Sequence, residues 1–141
     1  MPRILGIDFG DVRIGIAISD EQAFLVGESF TIRETNFEKA VTKLCDLIID
    51  RNIAEIALGF PKNMDGTVGE RGEKSRLLAS LLEEKTGIPV HLWDERRTSV
   101  DAHRILRENG KKTKQHKGTV DAVAASLILE GYLGFRRNKQ I

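Results

Sequence analysis

One cysteine, Cys45, stands in 141 residues, so the chain cannot close an internal disulfide, and no Cys/His cluster has the spacing of a zinc site. No apolar run approaches the ~20 residues of a membrane span. Met1-Pro2-Arg3 leads directly into a strand-like run, without the apolar core of a signal peptide. Net charge is nearly absent, at +1. A hydrophobic fraction of 40% with 30% charged residues excludes a disordered, low-complexity chain. These absences leave a soluble protein in a reducing cytoplasm, built as a single domain over residues 1–141.

The near-zero net charge conceals an asymmetry. Between Arg96 and Lys117 stand eight basic residues, Arg96, Arg97, Arg104, Arg107, Lys111, Lys112, Lys114 and Lys117, against the acids Asp101 and Glu108. That segment carries +6 and the remainder −5. Such a segment suits a phosphate backbone, although a solvated helix face followed by a loop would read the same way.

Ile4 to Phe9 is nearly continuous apolar, as in a strand buried on both faces. Ile14, Ile16 and Ile18 alternate with Gly15 and Ala17, and Gly10-Asp11 supplies a turn, so a hairpin is predicted. Phe24 to Arg33 gives a third strand. Thr35-Asn36-Phe37-Glu38 matches a capping box, with Phe37, Val41, Leu44, Leu47 and Ile48 following at helical spacing. Ile56 to Phe60 is a short buried strand. Leu77, Leu78, Leu81 and Leu82 mark a second helix that Gly87 and Pro89 end. Val90 to Trp93 is a fifth strand, and Thr98 through Glu108 a third helix. Lys111 to Lys117 reads as a loop, and Val120, Val123, Ala124, Leu127 and Ile128 as a last helix. The order β-β-β-α-β-α-β-α-α implies an α/β fold, a mixed five-stranded sheet with helices on its faces. The strands at Ile4, Ile56 and Val90 are expected to be parallel.

Asp8 is the anomaly: a carboxylate inside an apolar strand is costly to desolvate without a partner. It stands at the carboxyl end of a parallel strand, where ligands of such sheets gather. Asp94 and Glu95 end another, and alternation allows only one of them to face Asp8. Asp121 shares the apolar side of the last helix with Ala124, Ala125 and Ile128. Small residues there, Ala122, Ala124, Ala125 and Ser126, would bring that helix close to the sheet.

Singly, Asp8 could cap its turn, Asp121 the last helix, and Glu95 could pair with Arg96 or Arg97. Together, three acids at one edge would repel unless cations joined them. Hard oxygen donors suit Mg²⁺ or Mn²⁺, and two such ions about 3.5–4 Å apart fit a phosphodiester displacement, with Asp8 bridging them. Lys62, Asn63 and Arg71, in the loop PKNMDGTVGER, would overhang the site, unless Asp65-Gly66 is merely a turn. His91, His103 and His116 have no nucleophile at triad spacing, Trp93 and Phe60 read as core, and Cys45 as an inert thiol.

GIDFGDVRIGIAISD, LGFPKNMDGT, WDERRTS and KGTVDAVAASLILEGYL, in this order, resemble the YqgF family from Ile4 to Leu133. Those are bacterial proteins of ribonuclease H-like fold, assigned either to Holliday-junction resolution or to pre-16S rRNA cleavage. The departures are Phe60 and Arg97, where Leu is usual, and neither removes an acid. The resemblance implies that Asp8, Glu95 and Asp121 are the catalytic, metal-binding set, and so selects Glu95 over Asp94. It implies a divalent-metal-dependent endonuclease acting on structured RNA or DNA. Lys62, Asn63, Arg71, Arg96, Lys111, Lys112, Lys114 and Lys117 are the candidate nucleic-acid contacts.

Two rival functions differ in kind. An actin-like ATP-binding domain shares the GIDFG strand, but clamps nucleotide between two such domains. A non-catalytic binding module would be signalled by a lost acid, and all three are present. A resolvase needs a two-fold dimer with two sites. The helices read as single-faced, with GYLGFRRNKQI the lone exposed-looking apolar candidate. A monomer that processes the 5′ end of pre-16S rRNA, with structured RNA or a pre-ribosomal particle as its partner, is therefore favoured over a junction resolvase.

Overall fold

Branched aliphatic side chains at every second position build the central strands of the computed structural model, which describes residues 3–61, 65–94 and 117–139. β1 (Arg3–Phe9), β2 (Arg13–Ser19) and β3 (Val26–Arg33) form an antiparallel meander. α1 (Phe37–Asp50) then crosses to β4 (Ile53–Phe60), and α2 (Glu70–Thr86) to β5 (Val90–Asp94). α3 (Lys117–Lys139) follows. The sheet order is β3-β2-β1-β4-β5, with β1, β4 and β5 parallel, as the helical crossovers require.

Alternation divides the side chains between two cores. Leu5, Ile7, Phe9, Ile14, Ile16, Ile18, Ile56 and Leu58 pack under α1 and α2 against Val41, Leu44, Ile48, Leu78 and Leu82. Ile4, Ala17 and Ala57 lie on the opposite face, beneath Ala125, Ile128, Leu129, Tyr132 and Leu133 of α3. Helices thus cover both faces.

Two local expectations are corrected. The cap of α1 is Asn36, whose side chain accepts from the Lys39 amide at 2.9 Å, and not Thr35 of the expected capping box. Glu34 accepts the Asn36 amide at 3.0 Å, so the cap is set one residue later than the motif implies. In α2 the buried line is Gly72, Ser75, Leu78 and Leu82, while Leu77 is half exposed. Gly87 ends α2 as expected, in the left-handed region at φ 72°. The predicted helix over Thr98–Glu108 and the loop from Lys111 lie outside the described residues, and Lys117 already opens α3. Among the described residues no helix is long and apolar enough to cross a membrane.

Candidate active site

Asp8 is the last α3-facing residue of β1, following Ile4 and Gly6 on that face. Its cross-strand partner is Gly15 of β2. A Cβ added at Gly15 would lie 2.0 Å from the Asp121 carbonyl oxygen, so only glycine admits the α3 main chain here. One turn on, a Cβ at Gly6 would meet the Ala125 carbonyl oxygen at 3.0 Å and Leu129 Cβ at 2.8 Å. Ala125 itself is fully buried. Small residues on both partners therefore seat α3 directly on β1 and β2. That contact brings the Asp121 carboxylate to the Asp8 end of the sheet.

The electrostatics follow from that seating. Partial burial raises the Asp121 carboxyl above its ordinary value, and the neighbouring charge of Asp8 raises it further. Arg13 opposes both: its Nε donates to Asp121 Oδ2 at 3.1 Å, and Arg71 adds a weaker attraction. Arg71 also donates from Nη2 to the Phe9 carbonyl at 3.4 Å, which ties the start of α2 to the end of β1. Beside it Lys74 pairs with Asp11 of the hairpin turn at 3.2 Å.

Of the expected site residues, Asp8, Asp121 and Arg71 converge. Neither acid acts as a simple cap: Asp121 takes the Arg13 guanidinium, and Asp8 makes no hydrogen bond to the turn among the described residues. Glu95, Lys62, Asn63, Arg96, Lys111, Lys112 and Lys114 lie outside the described residues, and of Lys117 only its place at the start of α3 is described. Register sets Asp94 opposite Phe60, on the α2 face and away from Asp8. In the loop before α2, Thr67 donates its amide and hydroxyl to Asp65 Oδ1 at 2.9 and 2.6 Å, the plain turn that Asp65-Gly66 suggested.

Arg13 was not anticipated. Its signal was available, because β2 alternation puts Arg13 on the same face as Gly15 and Ala17, opposite the isoleucines.

Among the described residues no group of three or more His, Cys, Asp or Glu side chains gathers, so the described acids are a pair. Two hard oxygen donors whose charges repel form a donor set that fits a divalent cation. A groove of about 750 Å³ elsewhere, along β5 and the second half of α3, has a different character. Its one acid, Glu55, accepts from the Tyr132 hydroxyl and pairs with Arg136 at 3.2 Å, while His91 stacks on Tyr132 with centroids 5.4 Å apart. Glu55 pairs with Ile4, at the other end of β1 from Asp8.

A family model described as RuvX, Holliday junction resolvase, matches residues 2–134. The chain belongs to the RuvX family. This is the family that the sequence motifs resemble under the name YqgF. Among this RuvX protein's relatives, one from Halothermothrix orenii is 44% identical over 95% of this chain and 96% of its own length. One from Bacillus subtilis is 43% identical over 93% and 96%. Both carry the name "Putative pre-16S rRNA nuclease".

Solved structures establish the fold. Thermus thermophilus RuvC in complex with a Holliday junction substrate aligns with TM-score 0.63 at 11% identity, over 95% of this chain and 97% of that one. The Fowlpox virus resolvase in complex with junction DNA aligns with TM-score 0.62 at 12% identity, over 94% and 97%. The fold is ribonuclease H-like, and this RuvX protein is a nuclease, a hydrolase of phosphodiester bonds.

Proposed function

We propose that this nuclease acts on RNA and processes the 5′ end of pre-16S rRNA. It would work in the cytoplasm as a single-domain monomer, on free precursor or on a pre-ribosomal particle. The observation that carries the reading is the pairing of Asp8 with Asp121 at the carboxyl end of the sheet, beside Arg13 and Arg71. The names of the relatives at 43–44% identity support RNA as the substrate.

Asp8, Asp121 and Glu95 would hold Mg²⁺ or Mn²⁺, as two ions. Asp94 shares the Phe60 face of the sheet, and the run WDERRTS, which resembles the family motif, supports Glu95 as the third ligand. Bound there, such ions supply charge stabilisation to the attacking and leaving oxygens of a phosphodiester. The chain's own residues do the positioning. Asp121 is carried by the helix that Gly6 and Gly15 admit, and Asp8 by the strand end. Arg71 would meet a substrate phosphate at the rim. Lys62, Asn63, Arg96, Lys111, Lys112, Lys114 and Lys117 would extend the contact along the backbone of the nucleic acid.

The second reading is Holliday-junction resolution, which the description of the family model favours. One assay separates the two. The protein is given a precursor RNA with its 5′ flank, or a four-way DNA junction, each with Mn²⁺, Mg²⁺ or EDTA, while sedimentation reports its oligomeric state. Metal-dependent single cuts in the RNA by a monomer are expected. Symmetric paired nicks in the junction by a stable dimer would replace the RNA reading with the resolvase reading.

A further inference from the structure

Arg13 holds one oxygen of Asp121 through Nε, the nitrogen nearest its own main chain, at 3.1 Å. A bond from Nε fixes the direction of the whole guanidinium, which a lysine cannot reproduce. The anchor is short: Arg13 leaves β2 two residues before Gly15, where the α3 main chain touches the sheet. Both partners are partly shielded, with side chains 33% and 25% exposed. Among the described residues the charges facing Asp121 are those of Asp8, Arg13 and Arg71. Arg71 spends its hydrogen bond on the Phe9 carbonyl, so Arg13 is the cation that grips the carboxylate directly among the described residues.

We propose that Arg13 is a built-in counter-cation for the Asp8–Asp121 pair. It positions Asp121 when no divalent ion is bound, and it competes with that ion for the same carboxylate. The proposal rests on the reading of Asp8 and Asp121 as metal ligands. A divalent ion held by these acids would share the Asp121 carboxylate with the guanidinium, and like charges drawn to one carboxylate repel appreciably even in a solvated site. Arg13 therefore favours the unloaded protein more than the loaded one. By linkage, its removal must tighten ion binding. A residue needed to shape the loaded site would do the reverse, so the sign of the effect decides.

The test uses the full chain as parent, Arg13→Gln and Arg13→Lys. Thermal unfolding is followed in EDTA and in saturating Mn²⁺, and Mn²⁺ binding is measured from the paramagnetic resonance of the free ion. In EDTA, Arg13→Gln should melt below the parent, and saturating Mn²⁺ should narrow that gap. Its Mn²⁺ Kd should tighten by ~5-fold or more, the lower range of coupling between sites. Arg13→Lys keeps the charge and should bind Mn²⁺ within about twofold of the parent. Unchanged or weaker Mn²⁺ binding by Arg13→Gln overturns the counter-cation. A parent that binds no Mn²⁺ sinks the metal reading itself, and the proposal with it. Should Arg13→Gln not fold, the Nε–H resonance of Arg13 in the ¹⁵N-labelled parent decides instead. It should be protected from exchange in EDTA and lose protection as Mg²⁺ is added, and protection that persists overturns the proposal.

Discussion

The two faces of one sheet are built from different residues. Under α1 and α2 the strands present Leu5, Ile7, Phe9, Ile14, Ile16, Ile18, Ile56 and Leu58. Toward α3 the same three strands present Ile4, Gly6, Asp8, Arg13, Gly15, Ala17 and Ala57, so most positions are small or charged. Large side chains hold α1 and α2 at a distance and supply apolar burial, the main source of stability. Small ones let the α3 main chain come down onto the sheet, which is how a helix delivers a carboxylate to a strand end. Stability and chemistry are thus assigned to opposite faces, and each can be disturbed alone.

The largest effect is expected at the chemistry. Asp8→Asn keeps shape and removes a charge that the metal reading requires. Cleavage should fall by at least about a hundredfold, the scale of losing one transition-state contact. The cooperative unfolding transition should survive, and relief of repulsion with Asp121 works toward a higher Tm in EDTA. Cleavage at the parent's rate in saturating Mg²⁺ would remove Asp8 from the site.

Stability should separate the faces next. Leu58 is fully buried on the α1–α2 face, and Leu58→Ala should cost about 2–5 kcal/mol by leaving a cavity. Its cleavage rate per folded molecule should stay near the parent's. Gly15→Ala must push the α3 main chain off β2, a cost of ~1–3 kcal/mol or more. Because that shift moves Asp121, activity should drop well beyond the loss in folded fraction. Urea titration paired with rate measurement well below Tm distinguishes the two. Equal loss of activity in both variants would erase the division between faces.

A smaller effect is expected at the far end of the α3 face. Tyr132→Phe removes the hydroxyl that donates to Glu55, which retains Arg136. A cost of about 1.5–3 kcal/mol, less where solvent reaches the pair, follows from one lost hydrogen bond to a charged group. Cleavage should not change, because this cluster lies at the opposite end of β1 from Asp8. A tenfold loss of rate would tie the groove to the active site.

Most of this division was legible in the residues. The period-2 pattern of β2 and the apolar run of β1 name the strands, and helical crossovers dictate which are parallel. Asp8 announces itself because a charge inside such a run demands a partner, and Asp121 because it shares a helix side with alanines. Tertiary contacts hid the rest. Alternation in β2 gives the face of Arg13 but not its partner, because the Arg13–Asp121 bond spans 108 positions. The buried stripe of α2 runs through Gly72 and Ser75, whose smallness disguises it, while the conspicuous Leu77 faces outward. At α1, Thr35 and Asn36 both have cap chemistry, and Glu34 binding the Asn36 amide decides between them.

The subtlest consequence of packing an acid on the α3 face is a pH dependence. Burial and the charge of Asp8 raise the Asp121 carboxyl, so the folded protein binds a proton there more readily than the unfolded chain does. For such a group, the stabilisation is complete below the unfolded carboxylate value of ~3.9 and is lost as pH rises through the folded value. Asp121→Asn carries no titrating proton at this position. In EDTA, its stability relative to the parent should therefore climb as pH rises from about 4 through the folded value, then level off. Adding Asp8→Asn to both proteins should flatten that climb, because the repulsion is gone while the desolvation remains. Urea unfolding of the four proteins across this pH range measures it. A relative stability that instead falls with rising pH would mean that attraction to Arg13 outweighs burial and Asp8 together.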